Sequence, residues 1–414
     1  MKLTGKEGYT FVEGGVCAAK GFKANGLNCG LNPNKDKNDL GLVYSETPCH
    51  TAGVYTQNKV KGAPILVTKK NLEASGGITK AIIVNSKNAN TCNADGEQKA
   101  ERMCELTAQA LGIVKEEVIV ASTGVIGQVL PIEPIETHIE KLAAGLSEDG
   151  NERAATAIMT TDTVKKEVAV EFVLGGVTCR LGGMAKGSGM IHPNMATTLN
   201  FVTTDVAIET SLVQKALNEI VKITYNCLSV DGDTSTNDTL TVMANGLAGN
   251  ACITEENEDY AIFKDALYIV LMNMTRMLAV DGEGATKLLE CSVSEAKDVD
   301  TAIIVAKSVI CSPLFKCAMF GEDANWGRVL CAIGYADADF SIEKVDVDLA
   351  SENGSIAVCR NGAGVEFSEE FAKEVLSADT IYIRVSLHDG DSQATAWGCD
   401  LTYDYVKING DYRS

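Results

Sequence analysis

Val168-Ala-Val-Glu-Phe-Val-Leu-Gly-Gly-Val-Thr-Cys-Arg-Leu181 is where the chain changes period. Two runs of largely apolar residues flank Gly175-Gly176, a pair that supplies the positive φ angles of a two-residue turn, so the stretch reads as a β-hairpin. Upstream, Ala81-Ile-Ile-Val84 and Val118-Ile-Val-Ala121 have the length of buried strands, and between them Ala100, Met103, Cys104, Thr107, Ala110 and Leu111 recur at helical spacing. A second helix, marked by Ile135, Ile139, Leu142 and Leu146, begins around Pro134, whose missing N–H does no harm in a first turn. Downstream, helices are expected from about Glu209 to Thr224 and from Tyr260 to Leu278, then alternating strands such as Val345–Leu349 and Ile381–Leu387. The alternation has no fixed repeat, which implies a mixed α and β architecture and excludes a solenoid, with a smaller α+β domain in the last part of the chain.

With 414 residues, 45% of them hydrophobic and 22% charged, the chain is long enough for two or three domains with a sizeable core. A formal net charge of -20 argues against nucleic acid and anionic membranes as partners, leaving small molecules and other protein chains. Met1-Lys-Leu-Thr-Gly-Lys-Glu7 lacks the apolar core of a signal peptide, and Tyr260 to Val280 is interrupted by Lys264, Asp265 and Arg276, so a cytoplasmic location is expected. Fourteen cysteines are scattered singly from Cys17 to Cys399 without a CxxC pair, the pattern of reduced, mostly buried thiols.

Several motifs compete for chemistry. Arg180-Leu-Gly-Gly-Met-Ala185 fits the R-x-x-G-x-A loop of CoA-dependent acetyltransferases, but that loop must open a helix, and Gly187, Gly189 and Pro193 prevent one from starting here. Asp231-Gly-Asp-Thr-Ser-Thr-Asn-Asp238 has calcium-ligand chemistry, yet the sixth and twelfth positions of a calcium loop hold Thr236 and Val242 instead of Gly and Glu. It reads as a turn rich in side-chain-to-backbone hydrogen bonds whose polar groups could also line a site. His50, His138, His192 and His388 are too dispersed for a zinc site or a triad, although His192, five residues before Thr197, is placed for an orienting role. Alone, Met195-Ala-Thr-Thr198 before Leu199-Asn-Phe-Val202 reads as the start of a strand.

The segment Lys186-Gly-Ser-Gly-Met-Ile-His-Pro-Asn-Met-Ala-Thr-Thr-Leu199 closely resembles the processing site of the ornithine acetyltransferase, or glutamate N-acetyltransferase (ArgJ), family. Asn85–Asn90, Ser122–Gly127, Ile158–Thr163, Val230–Asp238, Asp281–Thr286 and Asp323–Arg328 agree with that family in order and spacing, over essentially the whole chain. The resemblance implies an α+β fold: a mixed α/β sandwich of the ArgJ and L-aminopeptidase/D-esterase type, similar but not identical to N-terminal-nucleophile hydrolases, with the smaller C-terminal α+β domain at about 285–390. It also implies self-cleavage between Ala196 and Thr197, giving an α chain of residues 1–196 and a β chain of residues 197–414.

In the function so implied, Thr197 is the nucleophile and carries the acetyl group from N-acetylornithine to glutamate, with no cofactor and no metal. The freed α-amine, whose ordinary pKa is about 7.7 to 8.0, serves as base for its own hydroxyl. Thr123 and Gly124 match the family's oxyanion hole, and Thr160, Lys186, Thr197, Glu283, Asn409 and Ser414 match its substrate-binding positions. Lys186 suits a carboxylate and Glu283 the ammonium of ornithine. The family further implies an α2β2 heterotetramer. Alternatives are a bifunctional enzyme that also takes acetyl-CoA as donor, a self-cleaving aminopeptidase or amidase with water as acceptor, and a non-catalytic binding protein on the same fold. Thr197 speaks against the second, whose group uses serine. Ala324 and Lys316-Cys317 depart from residues usual in the family, away from the chemistry.

Overall fold

The computed structural model describes residues 1–192 and 198–411, so Ala196, Thr197 and Ser414 lie outside the described residues. Among the described residues, nine strands form a mixed sheet and seven form a second one, with helices packed on both, an architecture of the mixed α/β class.

The hairpin lies in the first sheet, as Lys166–Leu174 and Val177–Lys186. Gly175 and Gly176 take φ of 53° and 85° and join Leu174 to Val177, the positive-φ pair that matches the twist of the strands. The second strand of the hairpin pairs with Leu199–Thr204, which runs parallel to Thr239–Ala244. Arg180 to Ala185 are therefore strand residues. The helix that a CoA phosphate loop would need is not formed there.

Thr239–Ala244 pairs in turn with Leu40–Tyr55, a long strand interrupted by a bulge between Tyr44 and Cys49. Beyond it lie Ile78–Asn85 and the edge strand Val118–Ser122, parallel to each other. Both are apolar on both faces because helices cover them: Ala63–Ala74 and Gly96–Leu111 pack against the edge strand, and Ala154, Ala155 and Ile158 join the core on the other side. Thr210–Ile223 and Glu258–Val280 are the two later helices anticipated from periodicity. The longer of them touches the hairpin of the first sheet and also Leu288–Ala296 and Ser392–Cys399 of the second, so a continuous apolar core runs between the sheets.

Among the described residues no single helix is long and apolar enough to cross a membrane. The cysteines are all free, eight of them buried. Burial pushes buried thiols such as Cys104 and Cys227 up to about 12, so they stay protonated and pack as small apolar groups.

Candidate active site

Six chain segments and the helix Tyr403–Asp411 converge on a single cavity of about 250 Å3. Thr123 and Gly124 enter it where the edge strand Val118–Ser122 ends. Thr160 comes from the turn after the helix Asn151–Ala157, and Lys186 is the last residue of the hairpin. Glu283 follows the C-terminus of Glu258–Val280, and Asn409 projects from Tyr403–Asp411. These six sequence-derived positions thus share one cavity, whereas Ala196, Thr197 and Ser414 fall outside the described residues.

The oxyanion candidates sit on a tightly built turn. Thr123 donates its backbone N–H to Asn85 O at 3.0 Å, and Gly124 adopts φ of 131°. A β-carbon on Gly124 would lie 2.2 Å from the carbonyl carbon of Lys87, so only glycine lets the two backbones meet. Asn237 braces the turn from across the cavity. Its side-chain amide donates to Ser122 O at 3.0 Å and Ala89 O at 2.6 Å, and its oxygen accepts from Thr91 Oγ1 at 2.6 Å. The polar segment from Asp231 to Asp238 is therefore a wall of the site, through Ser235, Thr236 and Asn237.

Opposite charges occupy separate places in the cavity. Lys186 Nζ donates to Thr160 Oγ1 at 3.3 Å. Burial draws the Lys186 ammonium below the usual lysine range, and the carboxylates of Asp162, Asp238 and Glu283 resist that fall while Lys166 adds to it. The Glu283 carboxylate accepts from Asn409 Nδ2 at 2.8 Å, and its backbone N–H donates to Ser188 O at 3.0 Å. Such a pair of charged groups suits a small molecule that carries both a carboxylate and an ammonium.

Thr198, next to the proposed cleavage site, is firmly held. Its N–H donates to Asp238 Oδ1 at 2.8 Å, its carbonyl accepts from Thr239 N at 2.9 Å, and Asn200 Nδ2 donates to its hydroxyl. Asn200 is fixed by the hydroxyl of fully buried Tyr225 at 2.7 Å. Thr198 has φ of 129°, a region that non-glycine residues rarely occupy, so the bonds around it hold local strain. His192 Nδ1 lies 3.1 Å from Ser229 Oγ and 3.7 Å from Cys311 Sγ, and its expected partner Thr197 lies outside the described residues. Burial, helped by the charge of Lys307, lowers it to about 4, so it is a neutral ring at neutral pH.

The sequence assigns no site role to Gly189, Asn237 or Asp162. All three lie inside the family-like segments Lys186–Leu199, Val230–Asp238 and Ile158–Thr163, which is the available signal; Gly189 bears there only on the absence of a helix.

The mixed α/β fold lines one polar cavity with a lysine and a glutamate, a setting suited to a small charged molecule. The chain belongs to the ArgJ family, whose model matches residues 23–414. It is 51% identical over 394 residues to Arginine biosynthesis bifunctional protein ArgJ 1 of Clostridium acetobutylicum, covering 95% of this chain and 96% of that one. To the Arginine biosynthesis bifunctional protein ArgJ of Caldanaerobacter subterraneus subsp. tengcongensis it is 48% identical over 404 residues, 97% and 99% of the two chains. A solved structure of ornithine acetyltransferase complexed with ornithine, from Mycobacterium tuberculosis, matches at 36% identity over 45% of this chain and all of that one, with a TM-score of 0.42. Family membership makes the chain an acetyltransferase of arginine biosynthesis.

Proposed function

We propose that the enzyme cleaves itself between Ala196 and Thr197 and then transfers the acetyl group of N-acetylornithine to glutamate through an acetyl ester on Thr197. The convergence of Thr123, Gly124, Thr160, Lys186, Glu283 and Asn409 on one cavity is the observation that carries this reading. The anchored, strained backbone at Thr198 supports it, because it holds the chain immediately after the cleavage point.

In the precursor, the Thr197 hydroxyl attacks the Ala196 carbonyl carbon and the peptide nitrogen leaves as the α-amine of Thr197; water then opens the ester. This yields chains of residues 1–196 and 197–414, the latter including the smaller α+β domain at about 285–390. In turnover, the α-amine takes the hydroxyl proton while the oxygen attacks the acetamide carbon of N-acetylornithine. Negative charge develops on the carbonyl oxygen, where Thr123 and Gly124 supply donors. The C–N bond breaks, the proton passes to the departing amine, and ornithine leaves. The α-amine of glutamate then attacks the ester, losing a proton, and N-acetylglutamate is released with Thr197 restored.

Lys186 and Thr160 hold the α-carboxylate that both amino acids share, and Glu283, set by Asn409, meets the side-chain ammonium that only ornithine carries. Ser414 joins the substrate-binding set. An ester conserves the energy of the amide bond, so the exchange requires no cofactor. Acetyl-CoA as a second donor is the reading favoured by the bifunctional names of the relatives. We place the enzyme in the cytoplasm as an α2β2 heterotetramer.

The test is a gel followed by a donor assay. Purified wild-type protein should run as two chains and Thr197→Ala as one; N-acetylornithine should then support acetylation of glutamate, with acetyl-CoA compared at the same glutamate concentration. A fully active, uncut wild-type chain overturns the reading.

A further inference from the structure

Asp162 is buried and does not line the cavity, but it bonds to the segments that carry Thr160 and Lys186 into it. One of its oxygens accepts from Lys166 Nζ at 2.7 Å and from the backbone N–H of Gly187 at 2.6 Å; the other accepts from Thr160 N at 3.1 Å. It therefore fixes the backbone on both sides of the Lys186–Thr160 contact. Lys166, fully buried, also donates to Asp281 Oδ2 at 2.5 Å. Asp281 accepts from the N–H and the hydroxyl of Thr163, and its carbonyl accepts from Ser188 Oγ at 2.6 Å. Ser188 O receives the backbone N–H of Glu283 at 3.0 Å. A chain of polar contacts, linked through the residues that make them, thus runs from Lys186 to Glu283.

We infer that Asp162 is a positioning residue for substrate recognition: its buried carboxylate sets Lys186 and Thr160 in place, balances the Lys186 ammonium, and through Lys166 and Asp281 keeps them in register with Glu283. The inference rests on the reading of Lys186 as the carboxylate-binding group.

Electrostatics gives the same assignment. A buried lysine sheds its proton unless anions hold it. The charged groups acting on Lys186 are Asp162, Asp238 and Glu283, which favour its ammonium, and Lys166, which opposes it; Asp162 is the strongest of the carboxylates. Although burial works against its own charge, Asp162 is held at about 2 by Lys166 and Lys186, so it is an anion throughout the working range. Removing that charge lets Lys186 lose its proton at lower pH, and the substrate carboxylate then loses its partner from lower pH as well.

The experiment measures KM for glutamate and for N-acetylornithine from pH 6 to 10 with processed wild-type enzyme, Asp162→Asn and Asp162→Glu. For Asp162→Asn, KM for both substrates should rise about tenfold at pH 8, and the alkaline limb of the KM profile should move down by about one pH unit. Asp162→Glu keeps the charge on a longer arm, so its limb should stay at the wild-type position while KM rises severalfold. Should Asp162→Asn fail to accumulate as folded enzyme, Asp162→Glu decides alone: an unchanged KM, or a limb displaced to lower pH, overturns the inference. A merely structural role would lower Tm in Asp162→Asn and leave KM and the limb where they were. Lys186→Met separates the two levels. If it leaves KM unaltered, the assignment of Lys186 fails; if it raises KM while Asp162→Asn moves neither KM nor limb, the inference alone fails.

Discussion

Gly189 leaves the space that the Glu283 carboxylate occupies: a β-carbon built on Gly189 would lie 2.4 Å from the carboxyl carbon of Glu283. The neighbour that must give way is the end of a flexible side chain rather than backbone. Gly189→Ala should therefore fold and displace Glu283 from Asn409. A charge-assisted hydrogen bond is worth roughly 1.5 to 3 kcal/mol, so kcat/KM for N-acetylornithine should fall about ten- to a hundredfold with Tm nearly unchanged. Wild-type kinetics in Gly189→Ala would show that Glu283 need not stand where it does.

Gly124 presents the opposite case. There the obstruction is the backbone of Lys87, at 2.2 Å from an added β-carbon, and the φ of 131° is itself unfavourable for alanine. Gly124→Ala should lower Tm as well as activity. Thr123→Ala, which leaves the backbone unaltered, should cut the acyl-transfer rate about a hundredfold or more while changing Tm far less, the pattern expected of a lost oxyanion donor. An unchanged kcat with a raised KM in Thr123→Ala would point to substrate binding instead.

Local order was legible where one face or one turn decides it. Gly175-Gly176 announces its hairpin, and Leu212, Ala216, Leu217 and Ile220 announce a helix with a single buried face. The central strand Leu40–Tyr55 was not, because Ser45-Glu-Thr-Pro48 breaks its apolar alternation where the bulge stands. Strand Ile78–Asn85 extends beyond its apolar centre, since pairing resumes past the bulge, with Thr79 opposite Cys49 and Ile78 opposite His50. The cavity is harder to see from sequence. Its residues come from separate stretches spread between Ala89 and Asn409, and only the resemblance to a family put them together. The Lys166 pairing with Asp162 and Asp281 carries no local signature for its longer arm, because nothing in the spacing between Lys166 and Asp281 reports that they meet.

His192 makes stability depend on pH in a direction that can be worked out. Burial holds the folded ring at about 4, below the ordinary 6.5, so the unfolded chain binds the proton more readily. The stabilisation from a neutral, buried His192 is fully present above pH 6.5 and is lost as pH falls toward 4. Urea unfolding at pH 7 and pH 4.5 should show a larger drop in the wild type than in His192→Gln, which has no proton to gain. Equal drops in the two proteins would remove His192 from the account.

Glu283 and Lys186 should separate the two half-reactions. Both amino acids bring an α-carboxylate, whereas ornithine ends in an ammonium and glutamate in a carboxylate. In the structure the two side chains occupy different places in one cavity, Lys186 against Thr160 and Glu283 against Asn409. Glu283→Gln keeps the shape and the hydrogen bond from Asn409 but removes the charge that meets the ornithine ammonium. Acetylation of the enzyme by N-acetylornithine should then weaken by about ten- to a hundredfold, corresponding to roughly 1.5 to 3 kcal/mol. Transfer from the acetyl-enzyme to glutamate should suffer much less, because its carboxylate side chain gains nothing from Glu283. Lys186→Met should impair both steps, since each substrate loses the partner of its shared carboxylate. Single-turnover measurements of the two steps decide the matter: equal losses in both for Glu283→Gln would mean that Glu283 serves a function common to the two steps instead of distinguishing ornithine from glutamate.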